Sequence, residues 1–204
     1  MIISRQKVFK ELLMGLDERD IFIIGCGKCA AKLCVGGEPE VLEMKKRLSS
    51  AGKNITGWTV LNSACNISSW KDVLSQNPGI KRSKAILVMS CGGGVSVISR
   101  SADQEVYPAL DTESLGGNSL GEIVKGQCGM CGDCTIWMFG GICPVAQCAK
   151  GLQNGPCGGA VDGKCEVDER KCAWDEIFER LKDLGKLHYL ETIQPPKKHM
   201  RPVK

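Results

Sequence analysis

The chain has 204 residues, a net charge of +4 from 27 basic and 23 acidic residues, 25 glycines and 13 cysteines, and only 5% aromatic residues. So nearly balanced a charge gives no argument for nucleic acid as a partner, and the longest apolar runs, such as residues 21–24 and 85–89, are far too short to span a bilayer. The start, Met1-Ile2-Ile3-Ser4-Arg5, lacks the apolar core and cleavage site of a secretion signal. The expectation is a cytoplasmic protein, where thiols serve metals or redox chemistry rather than structural disulfides. The odd cysteine count also disfavours a closed disulfide framework.

In chain order, Ser4 is expected to cap a first helix with Val8, Leu12 and Leu16 on one face. Residues 21–25 form a short β-branched run stopped by glycine, which predicts a buried strand. A helix follows over 39–51, with Pro39 in its first turn, Val41, Met44 and Leu48 on one face, and Gly52 after it. Residues 56–62 predict a second strand, 70–76 a short helix and 84–89 a third strand. Residues 95–100 suit a helix, and 105–110 a fourth strand or extended segment. Strands alternating with helices imply an α/β fold with a small, mostly parallel sheet of the flavodoxin or Rossmann kind over residues 1–120. Ligands of such sheets sit at the carboxyl ends of the strands, where Cys26, Cys65 and Cys91 all fall.

Residues 121–193 differ. Eight cysteines lie within 128–172 among many glycines and few large apolar residues. Such a stretch buries too little apolar area to fold alone, and a bound metal supplies the missing free energy. An irregular cysteine-rich cluster-binding domain is expected here. It closes with a helix over 174–185 whose face of Trp174, Ile177, Phe178, Leu181 and Leu184 packs inward. The tail, 194–204, carries three prolines and basic Lys197, Lys198, Arg201 and Lys204, and reads as an extended, solvated end.

The strongest chemical signal is Cys128-Gly-Met-Cys131-Gly-Asp-Cys134. Three thiolates at this spacing wrap three corners of one cubane, as in bacterial ferredoxins, where the fourth cysteine precedes proline. Cys143-Pro144 supplies such a pair, but with eight residues between it and Cys134 rather than three, so the spacing implies cluster chemistry without the ferredoxin fold. With Cys148, Cys157, Cys165 and Cys172 the set suits two [4Fe–4S] clusters. By the two-cluster analogy the triple takes one distant cysteine and Cys143 joins the other cluster. Zinc is the alternative, although four-cysteine zinc sites usually pair two C-x2-C knuckles.

Cys26-Gly-Lys-Cys29 followed by Cys34 needs one further ligand. Cys91 is preferred over Cys65, because its glycines leave room and a helix starting after them points amides at negative charge. Three clusters then use twelve cysteines and leave Cys65, read as a small buried residue. The competing reading of Cys26 and Cys29 as a thioredoxin-like pair conflicts with a third thiol so close by. Ser90-Cys91-Gly92-Gly93-Gly94 lacks the Walker lysine, and Gly25-Cys26-Gly27 lacks the Rossmann glycine pattern. The two histidines, His188 and His199, read as surface residues, and no self-contained catalytic apparatus is legible.

Several stretches together resemble one family: Gly25-Cys26 through Cys34 with Gly36-Gly37-Glu38, the Ser90-Cys91-Gly92 turn, Gly140-Gly141-Ile142-Cys143-Pro144 and Asn154-Gly155-Pro156-Cys157-Gly158-Gly159. They look like the methylenetetrahydrofolate reductase C-terminal-like family, the small iron–sulfur subunits (MetV type) of the reductase of acetogens and related anaerobes. The resemblance implies a separate flavin-containing catalytic subunit that reduces 5,10-methylenetetrahydrofolate to 5-methyltetrahydrofolate in one-carbon metabolism, the Wood–Ljungdahl pathway. The small subunit passes electrons to that flavin and takes them from further donor subunits. It implies no flavin or folate site in this chain.

Overall fold

The computed structural model describes residues 1–16, 18, 20–119, 121–168 and 170–197. The chain divides into two compact units, Met1–Glu113 and Ser114–Lys204. Among the described residues no helix is long and apolar enough to cross a membrane.

The first unit runs β1 (Ile2–Gln6), α1 (Phe9–Gly15), β2 (Asp20–Cys26), α2 (Cys29–Lys32), α3 (Glu38–Ser50), β3 (Asn54–Leu61), α4 (Ile67–Gln76), α5 (Pro78–Arg82), β4 (Ala85–Met89), α6 (Gly92–Ser99) and β5 (Glu105–Pro108). Strands β3-β2-β4-β5 form a parallel sheet, with Gly25 opposite Val60 on one side and Met89 on the other. The central strands β2 and β4 are buried on both faces, as in covered parallel sheets, while β3 and β5 at the edges are only partly buried. Phe22, Ile24, Ile86 and Val88 point into one apolar cluster with Trp70 and Ile80, while Ile21, Ile23, Leu87 and Met89 join Val41, Met44 and Leu48 of α3 in the other.

The expected first helix is corrected. Residues 2–6 form a strand, and Ser4 is a buried strand residue rather than a cap. Helix α1 starts only at Phe9, so Leu12 and Leu16 are buried but Val8, its N-cap, is exposed. The alternation Ile3–Ser4–Arg5 fits a strand as well as a helix start, and pairing decides. Lys7 N–H donates to the Ala109 carbonyl at 3.0 Å, and β1 lies beside β6 (Leu110–Ser119). Across that pair Arg5 meets Asp111 at 3.1 Å and Glu113 at 2.8 Å, and Lys7 meets Asp111.

One close approach shapes the carboxyl edge of the sheet. Gly36 carries no Cβ because a Cβ there would stand 2.2 Å from the Met89 carbonyl oxygen and 3.0 Å from the Ala30 Cβ. That contact folds the cysteine loop back over β4, and Cys26 N–H donates to the Gly36 carbonyl at 2.9 Å.

In the second unit β6 continues and pairs antiparallel with β7 (Glu122–Cys128), setting Leu115 opposite Cys128. A 3-10 turn at Ile136–Phe139, α7 (Pro144–Gln147) and α8 (Ala173–Asp183) follow, then a second 3-10 turn at Leu187–Glu191. The core of this unit is small: Met138, Phe139, Trp174, Ile177 and Leu181. Trp174, Ile177 and Leu181 pack inward as expected of α8. Phe178 and Leu184 do not, being 46% and 45% exposed, because a core this small covers a narrow stripe of the helix.

Two predictions follow from these contacts. Gly36→Ala is expected to cost about 1–3 kcal/mol by overpacking, read as a lowered urea midpoint; an unchanged midpoint contradicts the close approach. The Lys7 ammonium, through its hydrogen bond, holds the Asp111 carboxyl below the usual carboxylate range. A depressed folded pKa contributes stability that is present above the unfolded value of about 3.9 and lost as pH falls through the folded pKa. For this partly exposed pair the gain is about 0–1 kcal/mol. Lys7→Met should therefore lower the thermal midpoint at pH 7 and leave it equal to that of the unaltered protein once Asp111 is protonated in both.

Candidate metal centre

The thirteen cysteines are all free, and they occupy three places. The first is the carboxyl edge of the parallel sheet. Cys26 ends β2, Cys29 opens α2, Cys91 caps α6, and Cys65 lies in the turn after β3. Cys26 is buried and belongs to the apolar cluster that includes Ala30, Leu61 and Ala64. Cys29 Sγ accepts the Ile2 amide at 3.5 Å, and Cys34 is exposed on a left-handed backbone turn, φ 53°.

Cys65 is not the buried residue expected from sequence. It is exposed, with Sγ 3.3 Å from Ser63 Oγ, because its neighbour Ala64 takes the buried position in that turn. A Cβ placed on Gly93 would lie 3.8 Å from Cys91 Sγ and 3.9 Å from Cys65 Cβ. Both cysteines thus border one open spot over the start of α6, and both stay available to complete a site with Cys26, Cys29 and Cys34.

The other eight cysteines separate into two quartets. Cys128, Cys131, Cys134 and Cys143 line one cavity of about 270 Å³. Cys148, Cys157, Cys165 and Cys172 line another, tighter one of about 20 Å³. The two-cluster analogy is corrected at this point, since Cys143 stands with the triple and not apart from it. The physical reason is the intervening segment. The turn at Ile136–Phe139 ends on Gly140 and Gly141, both at positive φ (61° and 89°), a reversal that L side chains rarely adopt. It returns the chain so that Cys143 caps α7 with its carbonyl accepting from the Gln147 amide at 2.9 Å.

The second quartet is assembled by a knuckle. Cys165 N–H donates to the Arg170 carbonyl at 2.7 Å and Cys172 N–H to the Gly163 carbonyl at 2.8 Å, so the two cysteines flank one tight reversal. Cys148 ends α7 and Cys172 caps α8. Glu166 faces Cys157 Sγ at 3.6 Å and is ion-paired with Lys150, whose hydrogen bond holds the carboxyl below the usual range. Among the described residues no three His, Cys, Asp or Glu side chains converge on one metal-ion position. The quartets edge spaces rather than points. A thiol-only set of four around a cavity is the donor chemistry of iron–sulfur clusters, and also of four-cysteine zinc.

The tail departs most from expectation. Gln194 is buried, and the Asn154 side-chain amide grips its backbone on both sides: Asn154 Nδ2 donates to the Gln194 carbonyl at 2.9 Å, and Gln194 N–H donates to Asn154 Oδ1 at 2.7 Å. Beyond Pro195 and Pro196, Lys197 is not solvated. Its side chain is 5% exposed and lines the first quartet's cavity. Lys198, His199, Arg201 and Lys204 lie outside the described residues.

Residues 107–200 match the family described as methylene-tetrahydrofolate reductase C terminal. The match spans just under half the chain and holds both quartets, Asn154 and Lys197. It links this segment to methylenetetrahydrofolate reductase, while the sheet-edge cysteines fall before it. No curated protein and no solved structure matches the chain.

The Asn154 grip yields its own test. Asn154→Ala removes both hydrogen bonds and leaves the Gln194 backbone unpaired in a buried position, at a cost of about 1–3 kcal/mol. Hydrogen exchange at the Gln194 amide is expected to accelerate. A protected Gln194 amide in the variant would show that the segment is held by something else.

Proposed function

We propose that this chain is an iron–sulfur electron-transfer subunit of a methylenetetrahydrofolate reductase, passing electrons to a flavin-bearing partner that reduces 5,10-methylenetetrahydrofolate to 5-methyltetrahydrofolate. The observation that carries the reading is the partition of eight cysteines into two cavity-lining quartets inside the segment that matches the reductase family. Cys128, Cys131, Cys134 and Cys143 would hold one [4Fe–4S] cluster. Cys148, Cys157, Cys165 and Cys172 would hold a second. Cys26, Cys29 and Cys34, with Cys91 or Cys65, would hold a third at the sheet edge.

When bound, such clusters accept and release single electrons at potentials set by charge, hydrogen bonds and exposure. The chain's own part is to hold thiolates in place and direct amides at sulfur, as the Met130 and Gly159 amides already do toward Cys128 Sγ and Cys157 Sγ, both at 3.4 Å. The small core of the second unit supports the same reading, because metal binding to a site absent from the unfolded chain contributes folding free energy. Cytoplasmic location and a donor subunit upstream belong to this proposal.

A second reading has one observation in its favour. The cavity of the second quartet is about the size of a single water site, which suits one zinc ion better than a cubane. On that reading the Cys148–Cys172 region is a structural zinc module serving assembly of the complex.

Iron, acid-labile sulfide and zinc per chain, on protein purified without oxygen, separate these readings. About twelve irons with matching sulfide are expected for three cubanes, and about eight irons with one zinc for a zinc-bearing second quartet. Zinc with almost no iron would sink the electron-transfer reading. Cys143→Ser should remove or alter one cluster signal and leave the others, in step with Cys131→Ser.

A further inference from the structure

We infer that Lys197 is the residue that sets the electrical environment of the first quartet and raises the reduction potential of the group held there. The inference rests on the cluster reading above and adds to it a residue outside the cysteine set.

Lys197 reaches the cavity of Cys128, Cys131, Cys134 and Cys143 from the C-terminal segment. Its ammonium donates to the Asp133 carbonyl oxygen at 2.7 Å and to Thr135 Oγ1 at 2.9 Å, and stands 3.5 Å from Asp133 Oδ2. These anchors lie on both sides of Cys134, so the cation is fixed against the cysteine loop itself. The lysine side chain is 5% exposed, whereas Asp133 is 57% exposed. Water therefore screens the carboxylate far more than it screens the ammonium, and the buried charge is only partly cancelled.

A buried lysine is costly unless something negative repays the lost hydration. On the cluster reading, the four ligating sulfurs around the same cavity would supply that charge. The reduction step adds one electron, delivered by a chemical reductant in the test below, to a site that is already negative. A fixed cation nearby lowers the energy of the reduced form more than that of the oxidised form, which moves the potential upward. The cations of the second quartet are placed differently: Lys150 is paired with Glu166, which itself faces Cys157, Arg170 lies near Cys165 and Cys148 but is paired with Asp168 and 49% exposed on the side chain, and Lys171 is 82% exposed on the side chain. The two sites should therefore differ in potential, and only one should respond to Lys197.

The placement depends on a long reach. Asn154, in the same Asn-Gly-Pro-Cys segment as Cys157, grips the backbone of Gln194, and Pro195 and Pro196 carry the chain rigidly to Lys197. Asn154 is thus a positioning residue for the cation.

The test is a redox titration followed by electron paramagnetic resonance, with iron and sulfide measured on the same anaerobic full-length samples. In Lys197→Met, one midpoint should fall by an amount equal to an about tenfold change in the reduced-to-oxidised ratio, about 59 mV for one electron. The other midpoints should stay, and Lys197→Arg should restore the first. Asp133→Asn, which removes the partial counter-charge and keeps the lysine, should move the same midpoint upward. Asn154→Ala should move it downward by less than Lys197→Met. Unchanged midpoints in Lys197→Met with iron retained would overturn the inference and leave the cluster reading standing. If Lys197→Met loses iron, Lys197→Gln, which keeps a polar donor toward Asp133 and Thr135 without the charge, decides: a lowered midpoint supports the inference and an unchanged one overturns it. Wild-type protein without iron or sulfide would overturn the cluster reading itself.

Discussion

The apolar core of the second unit consists of Met138, Phe139, Trp174, Ile177 and Leu181, and this scarcity governs everything else there. Five side chains cannot order some eighty residues of loop against their conformational entropy. The segments around them are tied instead by single polar links. Trp174 Nε1 donates to the Leu152 carbonyl at 3.1 Å, Asn154 grips Gln194, and a knuckle joins Cys165 to Cys172. Each link fixes a loop that also presents cysteines. On the proposed reading, the cysteines would add to stability through what they bind, and the unit would be sensitive to its loss.

The first unit follows the opposite logic. The centre of its sheet is buried on both faces, with Ile21, Ile23, Ile24, Ile86, Leu87 and Val88 fully enclosed. That scaffold is held by apolar burial, and it delivers Cys26, Cys65 and Cys91 to one edge simply by where parallel strands end. Cysteines at the edge of a sheet with a buried centre and two quartets in a lightly packed unit are different solutions to holding thiols.

Much of the first unit was legible. The runs at β2 and β4 are continuous and β-branched, they stop at glycine or Ser90-Cys91-Gly92, and no helical period competes. What failed there was β1, where Ser4 suits a cap as well as a strand and only pairing with β6 decides. In the second unit β6 and β7 were not read, because Leu110–Ser119 mixes glycine and polar residues with no alternation. The cysteines were legible as candidate ligands from their spacing, yet their grouping was not. The gap from Cys134 to Cys143 closes through a glycine reversal that local spacing rules do not describe. Lys197 was missed for the same kind of reason: lysine after two prolines reads as solvated, and its burial comes from a side-chain grip forty residues away.

The Asn154–Gln194 grip also imposes an order in time. Synthesis completes the eight cysteines of both quartets at Cys172, while the segment bearing Lys197 emerges later and can seat only after Asn154 is in place. Once seated, Lys197 joins the lining of the first quartet's cavity. Loading before closure and retention after it would make the C-terminal segment a latch, and a chain emptied once closed would refill more slowly than a nascent one.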